Sequence, residues 1–421
     1  MASEWRESSL GDLIRLKRGY DLPQQKRCIG KVPILSSSGV TDYHSVAMVK
    51  GPGVVTGRYG TLGEVFYIAE DFWPLNTTLY VQDFKGNDPR FISYLLRCVD
   101  FLAYSDKAAV PGVNRNHLHL ARVRFPIRPV EQRSIAHILG TLDDKIELNR
   151  QMNETLEAIA RAVFRSWFVD FDPVRAKAEG RDPGLPTHLA DLFPDSLEDS
   201  ESGEIPKGWC VGKVGDLATL SREGIDPGEF PEEAFDHFSI PAFDEGQRPK
   251  AETGGSIKSN KFLVPCSAVL LSKLNPRIPR VWLPDVRNTY RAICSTEFLV
   301  TLPRTGISRE FLHSFFSSDA FATVFETLVT GTSGSHQRVK PEGLFAMNAV
   351  VPGESVIHQF TRVVRPLLTR VSQAHDSSGT LAALRDALLP KLISGELRVK
   401  ETNRFRRVGT GPSTRYHVVR P

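Results

Sequence analysis

Cysteine is scarce: the 421 residues hold five, scattered as Cys28, Cys98, Cys210, Cys266 and Cys294, with no CxxC pair for a zinc knuckle and too few for a disulfide framework. They read as small core residues. Long apolar runs are missing as well, because the longest, Phe262 to Leu274, is broken by Pro265, Ser267, Ser272 and Lys273, well short of the ~20 residues that cross a bilayer. Met1 to Arg6 carries Glu4 and Arg6 and leads into no h-region, so neither a secretory signal nor a membrane partner is expected, and the expected location is the cytoplasm. Nor is there an excess of one charge. With 53 Lys and Arg against 49 Asp and Glu, the net charge is only +4, and any affinity for nucleic acid must come from local basic patches.

Catalytic signatures are absent in the same way. No GxxxxGK[ST] phosphate loop occurs, since Gly30-Lys31 and Gly212-Lys213 are each followed by Val, which removes an ATP motor. The amino-methyltransferase signature has only a distant echo in Asn275-Pro276-Arg277-Ile278. The glycine stretch Gly57-Arg58-Tyr59-Gly60-Thr61-Leu62-Gly63 lies in a strand-rich region and reads as a hairpin turn. His117 and His119 lack a matching Cys or carboxylate set for a metal, and Asp143 and Asp144, adjacent on a helix, point to diverging faces. No catalytic or metal site is expected.

What is present is an ordinary globular composition, 41% hydrophobic and 24% charged with 24 Phe, in a length that suggests two or three domains at roughly 150 residues each. The chain is also written twice. Trp5 precedes Gly11-Asp12-Leu13 at the spacing at which Trp209 precedes Gly215-Asp216-Leu217. Each match leads into a strand-rich region (Val32 to Val81, Phe238 to Leu302), a short helical pattern (Phe91 to Phe101, Phe311 to Leu328), a polar loop (Ala109 to His117, Thr330 to Lys340) and a final strand (Val123 to Ile127, Ala346 to Val351).

After that strand each copy changes to a helical period, opening at Pro129 with Glu131 and at Pro352 with Glu354, as the N1 preference of proline and the helix dipole favour. In the first helix Ile135, Leu142, Leu156 and Val163 stand at sevenfold spacing, with Ile138, Leu139, Ile146, Met152, Ile159 and Trp167 between them, a coiled-coil seam. The second repeats it with Phe360, Leu367, Ala374, Leu381 and Leu388, although Pro366 and Ser377-Ser378-Gly379 predict a kink or short break. A helix from Pro129 to Phe168 would be roughly 60 Å long, so its stripe needs a partner. The duplicate helix is the expected one, the alternative being that each packs on its own sheet. Asn149 falls on the seam, where it would fix register or face solvent. The resulting division is 1–128, helix 129–170, an acidic Pro-rich connector 171–206, 207–351, helix 352–397 and a basic tail 398–421, expected to be solvated.

Both copies place cationic, amide and aromatic side chains in their loops. The first has Arg58, Tyr59, Lys107, Asn114, Arg115 and Asn116, with His117; the second has Lys273, Asn275, Arg277 and Arg280, then His336, Gln337 and Arg338. Arg can grip guanine N7 and O6, Asn and Gln can pair adenine N6 and N7, and Lys anchors phosphate. Either cluster alone reads as solvated loop. Two at equivalent places argue for DNA binding.

Further motifs accompany these parts: Pro129-x-Glu131-Gln132, Trp167-Phe168-Val169-Asp170-Phe171-Asp172-Pro173-Val174, Gly203-Glu204-Ile205-Pro206-Lys207-Gly208-Trp209, and Leu388-Leu389-Pro390-Lys391-Leu392-Ile393-Ser394-Gly395-Glu396-Leu397. Together, in this order, they resemble the specificity subunits of type I restriction-modification systems over nearly the whole chain. The resemblance implies an α+β fold with a pseudo-twofold repeat, in which two α/β target recognition domains are joined by two long antiparallel coiled-coil spacer helices. It also implies a non-catalytic subunit that reads a bipartite, asymmetric site in double-stranded DNA and scaffolds two copies of a modification (methyltransferase) subunit and a restriction (translocase and nuclease) subunit. No cofactor would be bound by this chain; S-adenosylmethionine, ATP and Mg2+ would belong to the partners. The competing readings are a protein-binding adaptor without DNA affinity and a self-sufficient nuclease or methyltransferase with an unfamiliar site.

Overall fold

The computed structural model describes residues 5–105, 112–287, 289–330 and 337–399, together with the backbone of Phe405–Arg407 and Tyr416–Val418, which pair as antiparallel strands. Apart from Arg398, Val399 and these two strands, the tail lies outside the described residues. The chain forms two compact units, Met1–Ile146 with Leu381–Pro421, and Glu147–Thr380. Each unit therefore contains part of both long helices.

In the first unit an antiparallel sheet runs in the order Arg15–Arg18, Thr78–Asp83, Gly53–Gly57, Val65–Ile68. In the second, Ala218–Ser221, Phe298–Pro303, Val269–Ser272 and Val281–Trp282 stand in the same order. Trp5–Ser9 pairs with Arg122–Pro126 as Cys210–Lys213 pairs with Asn348–Val351. The duplication seen in sequence is thus a duplication of sheet topology. A smaller sheet accompanies each copy, three-stranded in the first and five-stranded in the second.

Helix Pro89–Arg97 starts where Asp88 accepts the Phe91 amide at 2.9 Å, with proline at its first position, and it buries Phe91, Ile92, Leu95 and Leu96. Its counterpart region is two helices, Arg309–Phe316 and Asp319–Thr327, not the single Phe311 to Leu328 pattern. The break falls at Ser317-Ser318, because the Ser318 hydroxyl caps the second helix by accepting the Phe321 amide. Asn348–Val351 is also shorter than the expected strand, since Ala346 ends a helix that opens at Pro341.

The first long helix spans Pro129–Phe168 and the second Glu354–Ser394. They pair antiparallel within each unit. In the first, Leu392 and Ile393 share a core with Ile135, Ala136 and Leu139, and Arg385 meets Asp143 at 2.8 Å. In the second, the Asn149 amide donates to the Ser378 hydroxyl at 3.1 Å, and Phe164 and Phe168 pack on Phe360 at 5.7 and 5.1 Å between ring centroids.

The expected break in the second helix does not occur: it is continuous through Pro366 and Ser377-Ser378-Gly379. Tertiary contacts outweigh the weak helical propensity there. Ser378 receives Asn149, and Gly379, whose Cβ would collide with the Arg248 guanidinium, lets Arg248 cross the helix to reach Asp376 at 3.4 Å. The seam is also less apolar than its heptads suggest, since Ile159 is 44% exposed while Asn149, Asn153 and Ala160 are buried.

Two further expectations need correction. Only Cys294 is buried, the other four cysteines being exposed at turns and element ends, so they are not core residues. Residues 171–206 are more than a connector: Phe171, Val174 and Phe193 are buried with the aromatic cluster of the second unit, and a hairpin pairs Leu197–Ser200 with Gly203–Pro206.

The resemblance motifs lock these helices. The Gln132 side chain is wholly buried; it donates to the Asn87 side chain and the Pro126 carbonyl and accepts the Asp88 amide. Trp5 donates to Glu131 at 3.0 Å, and its indole lies 3.0 Å from where a Cβ on Gly395 would stand, at a left-handed φ of 75°. Phe171, with φ 55°, precedes helix Asp172–Ala178 just after the first long helix and packs against Trp209, 5.8 Å away. Each buried aromatic of this kind is worth roughly 1.5–3 kcal/mol of transfer free energy.

Candidate nucleic-acid interface

The two loop clusters are built on the same backbone frame. In the first copy the chain leaves strand Gly53–Gly57 at Arg58, whose amide donates to the Thr77 carbonyl at 2.9 Å and whose carbonyl accepts the Val113 amide at 2.9 Å. In the second it leaves Val269–Ser272 at Lys273, whose amide donates to the Glu297 carbonyl and whose carbonyl accepts the Val339 amide, both at 3.0 Å. Bridges Tyr59 to Gly112 and Leu274 to Arg338 extend the match. Arg58 and Lys273 are therefore equivalent, as are Thr77 and Glu297, and Gly112 and Arg338.

The strand register adds a pair that the reading of loops missed. Arg18 lies opposite Leu79, and Arg222 directly follows Ser221, which pairs with Val300, putting Arg222 at the equivalent place. Extending the Gly-Asp-Leu match by five residues would have found it.

In the first copy Arg18, Arg58, Tyr59, Asn114 and Arg115 line a hollow of about 430 Å³ with Leu79, Gly112 and Val113. The Arg58 guanidinium lies 4.6 Å over the Tyr59 ring and donates to its hydroxyl at 3.2 Å, a stack that holds a flexible cation in place. A Cβ on Gly112 would come within 2.5 Å of that ring, so glycine is required. Among the described residues no carboxylate lines the hollow, and its three guanidiniums favour an anion. Asn114 is partly committed: its side-chain oxygen caps helix Arg115–His119 by accepting the Asn116 amide at 2.9 Å. Arg115, Asn116 and His117 are exposed beside it, whereas His119 faces inward and accepts the Leu16 amide.

The second copy carries its own acids. The Arg338 guanidinium donates through Nε and Nη2 to both oxygens of Glu297, at 2.9 and 3.0 Å, and Arg222 meets Glu342 at 3.5 Å. Those hydrogen bonds hold the Glu297 carboxyl below its ordinary range. The Asn275 amide donates to the Gln337 carbonyl at 3.0 Å, which joins the two loops, and Arg277 is exposed at the tip. Arg280 belongs elsewhere: it is buried and paired bidentately with Asp244 at 2.7 and 2.9 Å. Lys107 and His336 lie outside the described residues.

Among the described residues no group of three or more His, Cys, Asp or Glu could hold a metal ion, and no helix is long and apolar enough to cross a membrane. Asp143 and Asp144 diverge: Asp143 accepts from Tyr94 and Arg97, Asp144 from Arg90.

The fold is duplicated, and each copy carries a cationic loop cluster on the same backbone frame. Residues 2–158 match the family model described as the type I restriction modification DNA specificity domain. The chain is 23% identical to the type I restriction enzyme HindI specificity subunit of Haemophilus influenzae, over 94% of this chain and 100% of that one. It is 24% identical to the MjaIX specificity subunit of Methanocaldococcus jannaschii, over 84% of this chain and 79% of the relative. The crystal structure of the type I restriction-modification S subunit from M. genitalium shares the fold, with a TM-score of 0.60 at 13% identity over 93% of this chain and 96% of that one. The chain is thus similar, over most of its length, to specificity subunits of type I restriction enzymes.

Proposed function

We propose that this subunit selects a split, asymmetric sequence in double-stranded DNA, each copy reading one half through its loop cluster. The observation that supports it best is the repetition of Arg18 and Arg58 as Arg222 and Lys273 on one backbone frame. Guanidiniums and amides on loops are the groups that read base edges and grip phosphates. Once one copy is docked, binding of the second becomes intramolecular and gains from a high effective concentration.

The long helices would set the unread gap and dock two modification subunits, which would bring S-adenosylmethionine, with ATP and Mg2+ entering through a restriction subunit. The chain itself would bind DNA and these proteins, and no cofactor. An antiparallel helix pair recurring in both units suits a spacer.

The test is selection of bound sequences from a randomised duplex library, with Arg58→Ala and Arg338→Ala beside the wild type. Each variant should relax one half of the motif and leave the other intact. Equal loss at both halves would overturn modular reading, and binding that does not weaken with salt would favour a protein adaptor.

A further inference from the structure

We propose that Glu297 is a specificity-determining positioning residue of the second copy: it holds Arg338 so that this arginine reads a guanine in its half-site. The inference rests on the DNA-reading function proposed above. Its starting point is the difference between two equivalent positions. The backbone carbonyls of Thr77 and Glu297 do the same structural task, each accepting the amide of the residue that leaves the hairpin strand. The first copy does this with a threonine, so the frame needs no carboxylate here.

The carboxylate's contacts are also unlike those of a buried structural acid. It engages the Nε and Nη2 edge of Arg338, a guanidinium 46% exposed, from a side chain itself 25% exposed. An ion pair so placed adds little to stability. Its effect is on geometry, since a bidentate carboxylate fixes the plane of a side chain that otherwise samples many rotamers, and lowers the ordering cost of recognition.

Charge decides which part of DNA this arginine suits. A guanidinium already paired with a carboxylate is a poorer phosphate anchor, because the carboxylate repels the phosphate and offsets much of the guanidinium's attraction. A guanine edge, neutral and rich in acceptors at N7 and O6, carries no such penalty. The first copy differs: Arg58 stacks on Tyr59 in a hollow lined, among the described residues, by no carboxylate.

The experiment uses the full chain co-purified with its modification subunit, selection from a randomised duplex library, and anisotropy with an unrelated duplex. Glu297→Gln should lower discrimination at one G·C position of one half-site by about 10- to 100-fold, leave the other half-site unchanged, and leave affinity for the unrelated duplex equal or higher. Glu297→Thr, which copies the residue of the first repeat, should do the same and guards against a folding effect peculiar to glutamine. Arg338→Lys should relax the same position. A motif that is unchanged in both Glu297 variants while Arg338→Ala alters it would overturn the positioning role. Wild-type complex that selects no motif would instead overturn the underlying reading.

Discussion

His313 shows how one side chain can link this fold to pH. Burial pushes its ring down to about 4, and nearby Arg309 acts in the same direction. Its Nδ1 has no partner among the described residues. Because the folded state holds the ring neutral while the unfolded chain protonates near 6.5, the unfolded state binds more protons between those values. Stability is therefore full above 6.5 and falls as pH drops toward 4, below which this contribution levels off. His119, His137 and His375 are lowered too, so the measurement is a comparison. Melting temperatures of His313→Gln should fall less steeply over that window than those of the wild type, and parallel slopes would assign the sensitivity to the other histidines. At the same scale, Arg58→Ala should remove a stacked cation without disturbing the hairpin, whose ladder is backbone. Its effect should appear in the selected motif and the salt slope, with little change in melting temperature.

The two long helices carry their information in polar residues as much as in leucines. Asn149 sits on the seam and bonds Ser378 from the partner helix, and both lie near the middle of their helices. A buried amide that loses its partner bears its desolvation cost, so Asn149→Ala or Ser378→Ala should each destabilise by about 1–2 kcal/mol. A double-mutant cycle measured by denaturant unfolding should show coupling of at least about 0.5 kcal/mol, and strict additivity would mean the bond contributes nothing. The helix boundaries were readable because Pro129, Glu131 and the heptads are local signals. The continuity of the second helix was not, because Ser378 and Gly379 are poor helix formers whose compensating partners, Asn149 and Arg248, come from elsewhere in the chain. The split at Ser317-Ser318 is a local capping pattern, but the phenylalanines on both sides of it sustain the helical period and mask it.

For the molecule as a whole, the proposal that paired helices space two readers makes a length prediction. Deleting one heptad from each helix together, so that their pairing register is kept, should change the number of unread base pairs in the selected motif while both half-sites keep their sequences. An unaltered gap would refute the spacer role.

The sequence by itself determined the duplication, the long helices and the resemblance to a family, because these depend on periodicity, caps and motifs that are local in the chain. It also singled out Arg58 and Arg338 as candidates, since cations in glycine-containing loops are visible as such. Only the tertiary structure decided which charges share a surface. It joined Arg18 to Arg58 and Arg115 across separate strands and a loop, turned Arg280 inward to Asp244, and tied Arg338 to Glu297. Those pairings depend on strand register and loop apposition between residues far apart in sequence, and no local pattern encodes them.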